Sequence, residues 1–144
     1  MSDRAVMISI RPEYADKIFD GKKCVELRRV RPRVECGDLV LVYVTSPVKA
    51  VTGAFEVDRV IEDKPRKVWE EVKGKAGLTR RQFDMYYAGI SQAFAIFVRK
   101  SWRLQTPIDL QRLRKRLPWF HPPQSYHYLA PAQRESVFKA AEGE

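Results

Sequence analysis

The sequence predicts an α+β fold, a small mixed β-barrel with helices packed over one end. Three observations carry this. The elements read in the order β-α-β-β-β-α-α-β-α. Leu39 to Val44 (LVLVYV) is apolar at nearly every position, the mark of a strand buried on both faces or rolled into a barrel. The strands on either side of it alternate apolar and polar residues instead. A chain of 144 residues with 44% hydrophobic content has enough apolar surface for one sizeable core and little room for a second. We therefore expect one domain over 1–144, with a core at about 5–105 and a basic helical extension at 106–144.

Ala5 to Ile10 (AVMISI) is a short β-branched run that stops at Arg11-Pro12, so it reads as a strand. Pro12 suits the first turn of a helix, and Pro12 to Asp20 brings Tyr14, Ile18 and Phe19 near one face. Gly21 is the stop. Lys23 to Val30 alternates, with Val25 and Leu27 facing one way and Cys24, Glu26 and Arg28 the other. Cys36-Gly37-Asp38 makes the turn into Leu39–Val44. Lys49 to Ile61 alternates again, and Gly53 within it signals a bulge or a tight bend. Pro65 to Lys73 reads as a helix with Val68, Trp69 and Val72 inward. Thr79 and Gln82 form a capping box for a helix reaching Gly89. Gln92 to Trp102 is a strand. Ile108 to Leu117 is a basic amphipathic helix ended by Pro118. Gln124 to Leu129 is loop or extended chain, and Ala130 to Ala141 is a last helix with Val137 and Phe138 available for packing.

Twenty-seven basic against 18 acidic residues leave a net charge of +9, which points to polyanionic partners. No apolar run approaches 18 residues, so we expect no membrane span. The first residues do not resemble a signal peptide. Cys24 and Cys36 form no CxxC, and His121 and His127 have no further ligands at matching spacing. We expect no metal, no cofactor, and a reduced, soluble, cytoplasmic setting.

The segment Gly21-Lys22-Lys23-Cys24-Val25-Glu26-Leu27-Arg28 carries the most chemistry. Two residues apart on a strand, Glu26 and Arg28 share one face at about 7 Å along the chain. Arg28 offers a planar fork of donors to a phosphate or base edge, and Glu26 accepts from an exocyclic amine or orients Arg28. Lys23 supplies a point charge at the strand's mouth. Gly21 lets the helix-to-strand turn adopt a positive φ. Cys24 lies among lysines that would lower a thiol pKa, or else is a half-buried structural residue. Glu26 and Arg28 form either the floor of an anion-friendly cleft or a plain surface ion pair.

The pattern Gly-x-Lys-x-x-Glu-x-Arg, placed after a strand-helix opener and before Gly37-Asp38 and an apolar strand, resembles the ASCH domain family. That family is a branch of the PUA-like β-barrels, and the likeness covers roughly residues 5 to 105. The resemblance implies a cleft for nucleic acid or a nucleotide-like ligand. One branch hydrolyses N4-acetylcytidine. This chain resembles it at Lys23, the activating amine, but has Glu26 where that branch has a threonine nucleophile. It has Ala76 and Gly77 about where that branch has a catalytic glutamate. Other relatives look like ribonucleases that use lysine, tyrosine and serine, and Lys49, Tyr43 and Ser125 are residues of those types here.

A second basic run holds Arg99, Lys100, Arg103, Arg112, Arg114, Lys115 and Arg116 against Asp109 alone. Trp102, Trp119, Phe120 and Tyr126 are interleaved with or follow it. Cations with aromatics between them suit a single-stranded nucleic acid; the same pattern also fits a solvated amphipathic helix docked by its leucines. Arg28, Arg29, Arg31 and Arg33 would extend that surface. The loop Gln124-Ser125-Tyr126, rigid after Pro122-Pro123, is either a closure over the cleft or a plain surface loop.

Three functions fit. The first is a module binding RNA, another single-stranded nucleic acid or a nucleotide-like small molecule, with a regulatory role in transcription or translation. Its contacts would be Gly21, Lys23, Glu26, Arg28, Arg29, Arg99, Arg103, Arg112, Arg114, Lys115, Arg116, Trp119, Ser125 and Tyr126. The second is an enzyme on RNA or a modified nucleoside, with Lys23 and Glu26 as catalytic groups. The third is an interaction module with a protein partner, although no helix-turn-helix is evident.

Overall fold

The computed structural model describes residues 5–118, 120–123 and 126–142. Six strands form one sheet in the order β2-β5-β4-β3-β1-β6, curled into a half-barrel. In chain order the elements are β1 (Ala5–Ile10), α1 (Pro12–Phe19), β2 (Val25–Arg28), β3 (Leu39–Val44), β4 (Ala50–Asp63), α2 (Pro65–Val72), α3 (Arg80–Tyr86), β5 (Ala93–Asp109), α4 (Leu110–Arg116), β6 (Tyr126–Leu129) and α5 (Pro131–Ala141). β1 and β3 run parallel, Ala5 opposite Leu39 through Ile10 opposite Val44, and the other pairs are antiparallel. The α+β reading from sequence holds.

The apolar β3 has a simple cause. Val40, Val42 and Val44 pack with Val6, Ile8 and Ile18 on one face of the sheet. Leu39, Leu41 and Tyr43 pack with Met7, Leu113, Phe120 and Val137 on the other. Helices cover both faces, so no position on this strand reaches water. A third cluster joins Val25 and Leu27 of β2 to Val68 and Val72 of α2, Phe83 of α3 and Tyr87 just beyond it. It anchors the face of β2 opposite Glu26 and Arg28.

Local signals place most element ends. Pro12 is at the first helical position of α1. Gly21 has φ +78°, and the backbone N–H groups of Lys22 and Lys23 both donate to the Lys17 carbonyl, at 2.9 and 3.0 Å. That turn delivers Lys23 to the start of β2. Thr79 and Gln82 cap α3 reciprocally. Thr52 is the extra residue where β4 changes register beside Gly53, so the bulge signal was sound.

Two elements differ from the sequence reading. β5 does not stop at Trp102 but continues to Asp109. The pairing jumps from Gly53–Arg103 to Val51–Ile108, so Leu104 to Pro107 lie in a gap in the ladder. Pro107 therefore costs no ladder hydrogen bond, and the strand can run through it. The segment read as loop or extended chain is extended where described: Tyr126–Leu129 pairs with β1, Leu129 opposite Ala5 and Tyr126 opposite Ile8. Asp109 accepts from the Arg112 N–H at 2.8 Å and starts α4 two residues later than its apolar pattern suggested.

Candidate functional site

A cleft of about 500 Å³ opens where β1, α1, β2 and α3 converge. Its floor is built from the Gly-x-Lys-x-x-Glu-x-Arg segment. Lys23 is 3% exposed and Glu26 6% exposed. The Lys23 Nζ donates to the Ala76 carbonyl at 2.8 Å and lies 3.9 Å from the Glu26 Oε1. On the other side the Arg28 Nη1 donates to the Glu26 Oε2 and to the Ser9 carbonyl, both at 3.3 Å. The Lys23 ammonium also sits 5.3 Å from the Tyr14 ring centroid. Burial lowers the Lys23 pKa from its ordinary value; the Glu26 carboxylate opposes that shift and Lys17 adds to it.

The walls come from distant segments. Tyr14 lies on α1, Leu78 precedes α3, and Gln82 and Tyr86 lie on it. Pro122 and Pro123 close one side, held by the Ser9 hydroxyl, which donates to the Pro123 carbonyl. Tyr86 and Tyr87 donate their hydroxyls to the Leu27 and Arg28 carbonyls at 3.1 and 3.0 Å. These bonds satisfy backbone groups of an edge strand and fix the orientation of β2. Burial raises both phenol pKa values. At the rim, the Arg29 guanidinium lies 4.8 Å from the Tyr86 ring centroid, and Arg11 is exposed. Among the described residues four cations and one carboxylate line the cleft, so its field is positive.

With this geometry in view, the family model of the ASCH domain matches residues 8–109. The chain belongs to the ASCH domain family. An ASCH domain-containing ribonuclease of Zymomonas mobilis subsp. mobilis is 30% identical over 134 residues, covering 93% of this chain and 90% of that protein. The crystal structure of ASCH from Zymomonas mobilis superposes with TM-score 0.89, 94% of each chain being covered at 30% identity. Two more structures of that protein carry a tyrosine-to-phenylalanine and a serine-to-alanine replacement. Human THYN1, solved in complex with 5-methylcytosine-containing DNA, superposes with TM-score 0.62 over 99% of each chain. Its identity is 10%, so that likeness concerns the fold alone.

Within this ASCH domain, Lys23, Glu26, Arg28 and Arg29 come together in the cleft. Gly21 shapes the preceding turn and does not line it. Cys24 is exposed, outside β2, and its N–H donates to the Lys75 carbonyl at 2.7 Å. The second basic run points elsewhere. Arg99 pairs with Glu56 and Asp58, and Arg103 with Asp20 at 3.0 Å. Arg112 donates to the Pro107 carbonyl at 2.9 Å and to the Ala140 carbonyl, and Arg114 to the Phe120 carbonyl at 3.3 Å. Arg112, Lys115 and Arg116 border a separate hollow of about 280 Å³ beside α5. No residue from 99 to 116 lines the main cleft. Tyr126 is part of β6 and packs against the core. Trp119 and Ser125 lie outside the described residues. The Ala76 and Gly77 carbonyls receive Lys23 and Lys17, at 2.8 and 2.9 Å. Tyr43 is buried beside Phe120, and Lys49 is exposed with φ +52°.

Sequence reasoning missed Arg11, Tyr86, Gln82 and the proline pair as cleft residues. Usable signals existed for Arg11, at the junction of the first strand and a helix that begins with proline, and for the proline pair, which leads into the loop read as a closure over the cleft.

Proposed function

We propose that this protein binds RNA and that the cleft over β2 seats one nucleotide. The observation that supports this best is the division of the cleft. A floor of buried Lys23 and Glu26 with half-buried Arg28 lies below aromatic and apolar walls, with Arg11 and Arg29 at the rim. Aromatic walls suit a base plane, and rim cations suit the phosphates of a chain entering from outside. The segment 106–144 acts as part of the same domain in this reading, because α4, β6 and α5 share the core of β1 and β3. Titration of a labelled single-stranded RNA at rising salt tests the proposal. The logarithm of affinity falls with the logarithm of salt, and Arg11→Ala with Arg29→Ala makes that slope shallower by about 1.4, at roughly 0.7 per single-strand phosphate contact. Affinity that is the same at low and moderate salt would overturn it.

A second reading, cleavage of bound RNA, is favoured by one specific observation. The Zymomonas mobilis relative, similar along nearly the whole chain, is named a ribonuclease, and its tyrosine and serine variants have been solved. Tyr43, near the end of β3, and Lys49, just before β4, stand six residues apart and are residues of the tyrosine and lysine types. Incubation with labelled RNA should produce fragments, and Tyr43→Phe or Lys49→Ala should slow their release at least about tenfold, the rate change of 1.4 kcal/mol in a barrier. RNA that stays intact with the native protein excludes this reading and leaves binding untouched.

A further inference from the structure

We infer that the cleft floor selects uracil among the RNA bases. This rests on reading the cleft as a nucleotide seat, and goes further by assigning the base. Among the described residues Glu26 is the one carboxylate lining the cleft, and it is buried. A phosphate set against it would meet like charge, which is costly in a desolvated site. The floor therefore receives a neutral group, and Arg11 and Arg29 at the rim receive the phosphate.

The floor also has an order. Lys23 stands on one side of the carboxylate and Arg28 on the other. The 3.9 Å between the Lys23 Nζ and Glu26 is longer than a hydrogen bond, and the Lys23 hydrogen bond goes to the Ala76 carbonyl. An ammonium has three donors and a carboxylate about four acceptor sites, so each has capacity beyond these bonds. Along the floor the pattern is donor, acceptor, donor. Its complement is an N–H between two carbonyls. Uracil presents that edge with O2, N3–H and O4. Cytosine would set a ring-nitrogen acceptor against the Glu26 carboxylate. Guanine satisfies Glu26 but turns an amine toward one of the two cations. Adenine offers an amine and a ring acceptor and no carbonyl. Tyr14 and Tyr86 line the walls, and contact with an aromatic side chain is tolerant of base identity, so the choice among bases falls to the floor.

The test uses the native protein and follows the backbone amide resonances of Lys23, Glu26 and Arg28. Uridine, cytidine, guanosine and adenosine 5′-monophosphates are titrated in turn, together with the N3-methylated uridine monophosphate. Uridine monophosphate should bind at least about tenfold tighter than the other three natural nucleotides, the margin of one well-placed base contact. Methylation at N3 removes only the central donor and should erase that margin. Equal binding of cytidine or guanosine monophosphate, or indifference to N3 methylation, would overturn uracil selection and leave the cleft as a nucleotide seat. If none of the five shifts these amides, both the selection and the nucleotide seat fail.

Discussion

Replacing Glu26 by alanine should destabilise the protein by about 3 kcal/mol in urea denaturation at neutral pH, the low end of the cost of removing one partner from a buried pair. The reason lies in what remains. Lys23 is 3% exposed and keeps the Ala76 oxygen at 2.8 Å and the face of the Tyr14 ring, but no anion. Arg28 keeps the Ser9 carbonyl. Two cations then face each other in a site built around an anion. The open side of the cleft lets water approach, which keeps the loss at the low end.

Solution pH gives the same variant a signature that a packing defect lacks. Burial lowers the Lys23 pKa below the ordinary lysine value of 10.5, and the Glu26 carboxylate opposes the shift. Between the lowered folded value and 10.5 the unfolded chain binds more protons at this site than the folded one, so stability from Lys23 rises with pH across that window. Removing Glu26 takes away the group that supports the ammonium and extends the window downward. The deficit of Glu26→Ala should therefore shrink as pH is raised toward 10. The double variant Lys23→Met with Glu26→Leu should recover most of the stability, because a buried pair replaced by apolar groups of similar volume is close to neutral. A double variant no more stable than Glu26→Ala, with a deficit independent of pH, would show that the loss does not arise from the Lys23 charge.

These residues were legible in the sequence because their signals are local. Gly21, Lys23, Glu26 and Arg28 fall within eight residues, and strand alternation alone puts Glu26 and Arg28 on the face opposite Val25 and Leu27. Pro12, Gly53 and the Thr79–Gln82 box were legible for the same reason. The rest of the cleft was not. Tyr86 and Pro123 reach it from about 60 and 95 residues beyond Arg28, and only the packing of α3 against β2 and the Ser9 bond to Pro123 bring them there. The second basic run shows the same limit from the other side. Its charges look like one surface in the sequence, yet Arg99 and Arg103 are taken up by carboxylates from β4 and from the end of α1. A count of charges along the chain does not show which acids fold against them.

Gly53→Val should be the most damaging single substitution away from the cleft, costing about 3 kcal/mol or more and lowering soluble yield. A Cβ at Gly53 would stand 2.5 Å from the Trp102 carbonyl oxygen and inside contact distance of the Phe19 ring. The carbonyl belongs to β5, paired to β4 on either side of this bulge, so it cannot retreat without opening the ladder. Phe19 is the last residue of α1 and lies over Gly53, with the Arg103 guanidinium 5.5 Å from its ring centroid. The Ser101 hydroxyl donates to the Ile18 carbonyl at 3.1 Å beside it. Gly53 is thus the seat of the helix that carries Tyr14 and Lys17, and a side chain there pushes on the cleft from below. Phe19→Leu in the Gly53→Ala background should restore part of the loss, because the ring can be trimmed, and leave the remainder, because the Trp102 carbonyl cannot. Chemical shifts of Tyr14 and Lys23 should move in Gly53→Ala even where it folds. Unchanged stability and unchanged shifts at both residues would mean that α1 is held by contacts other than this one.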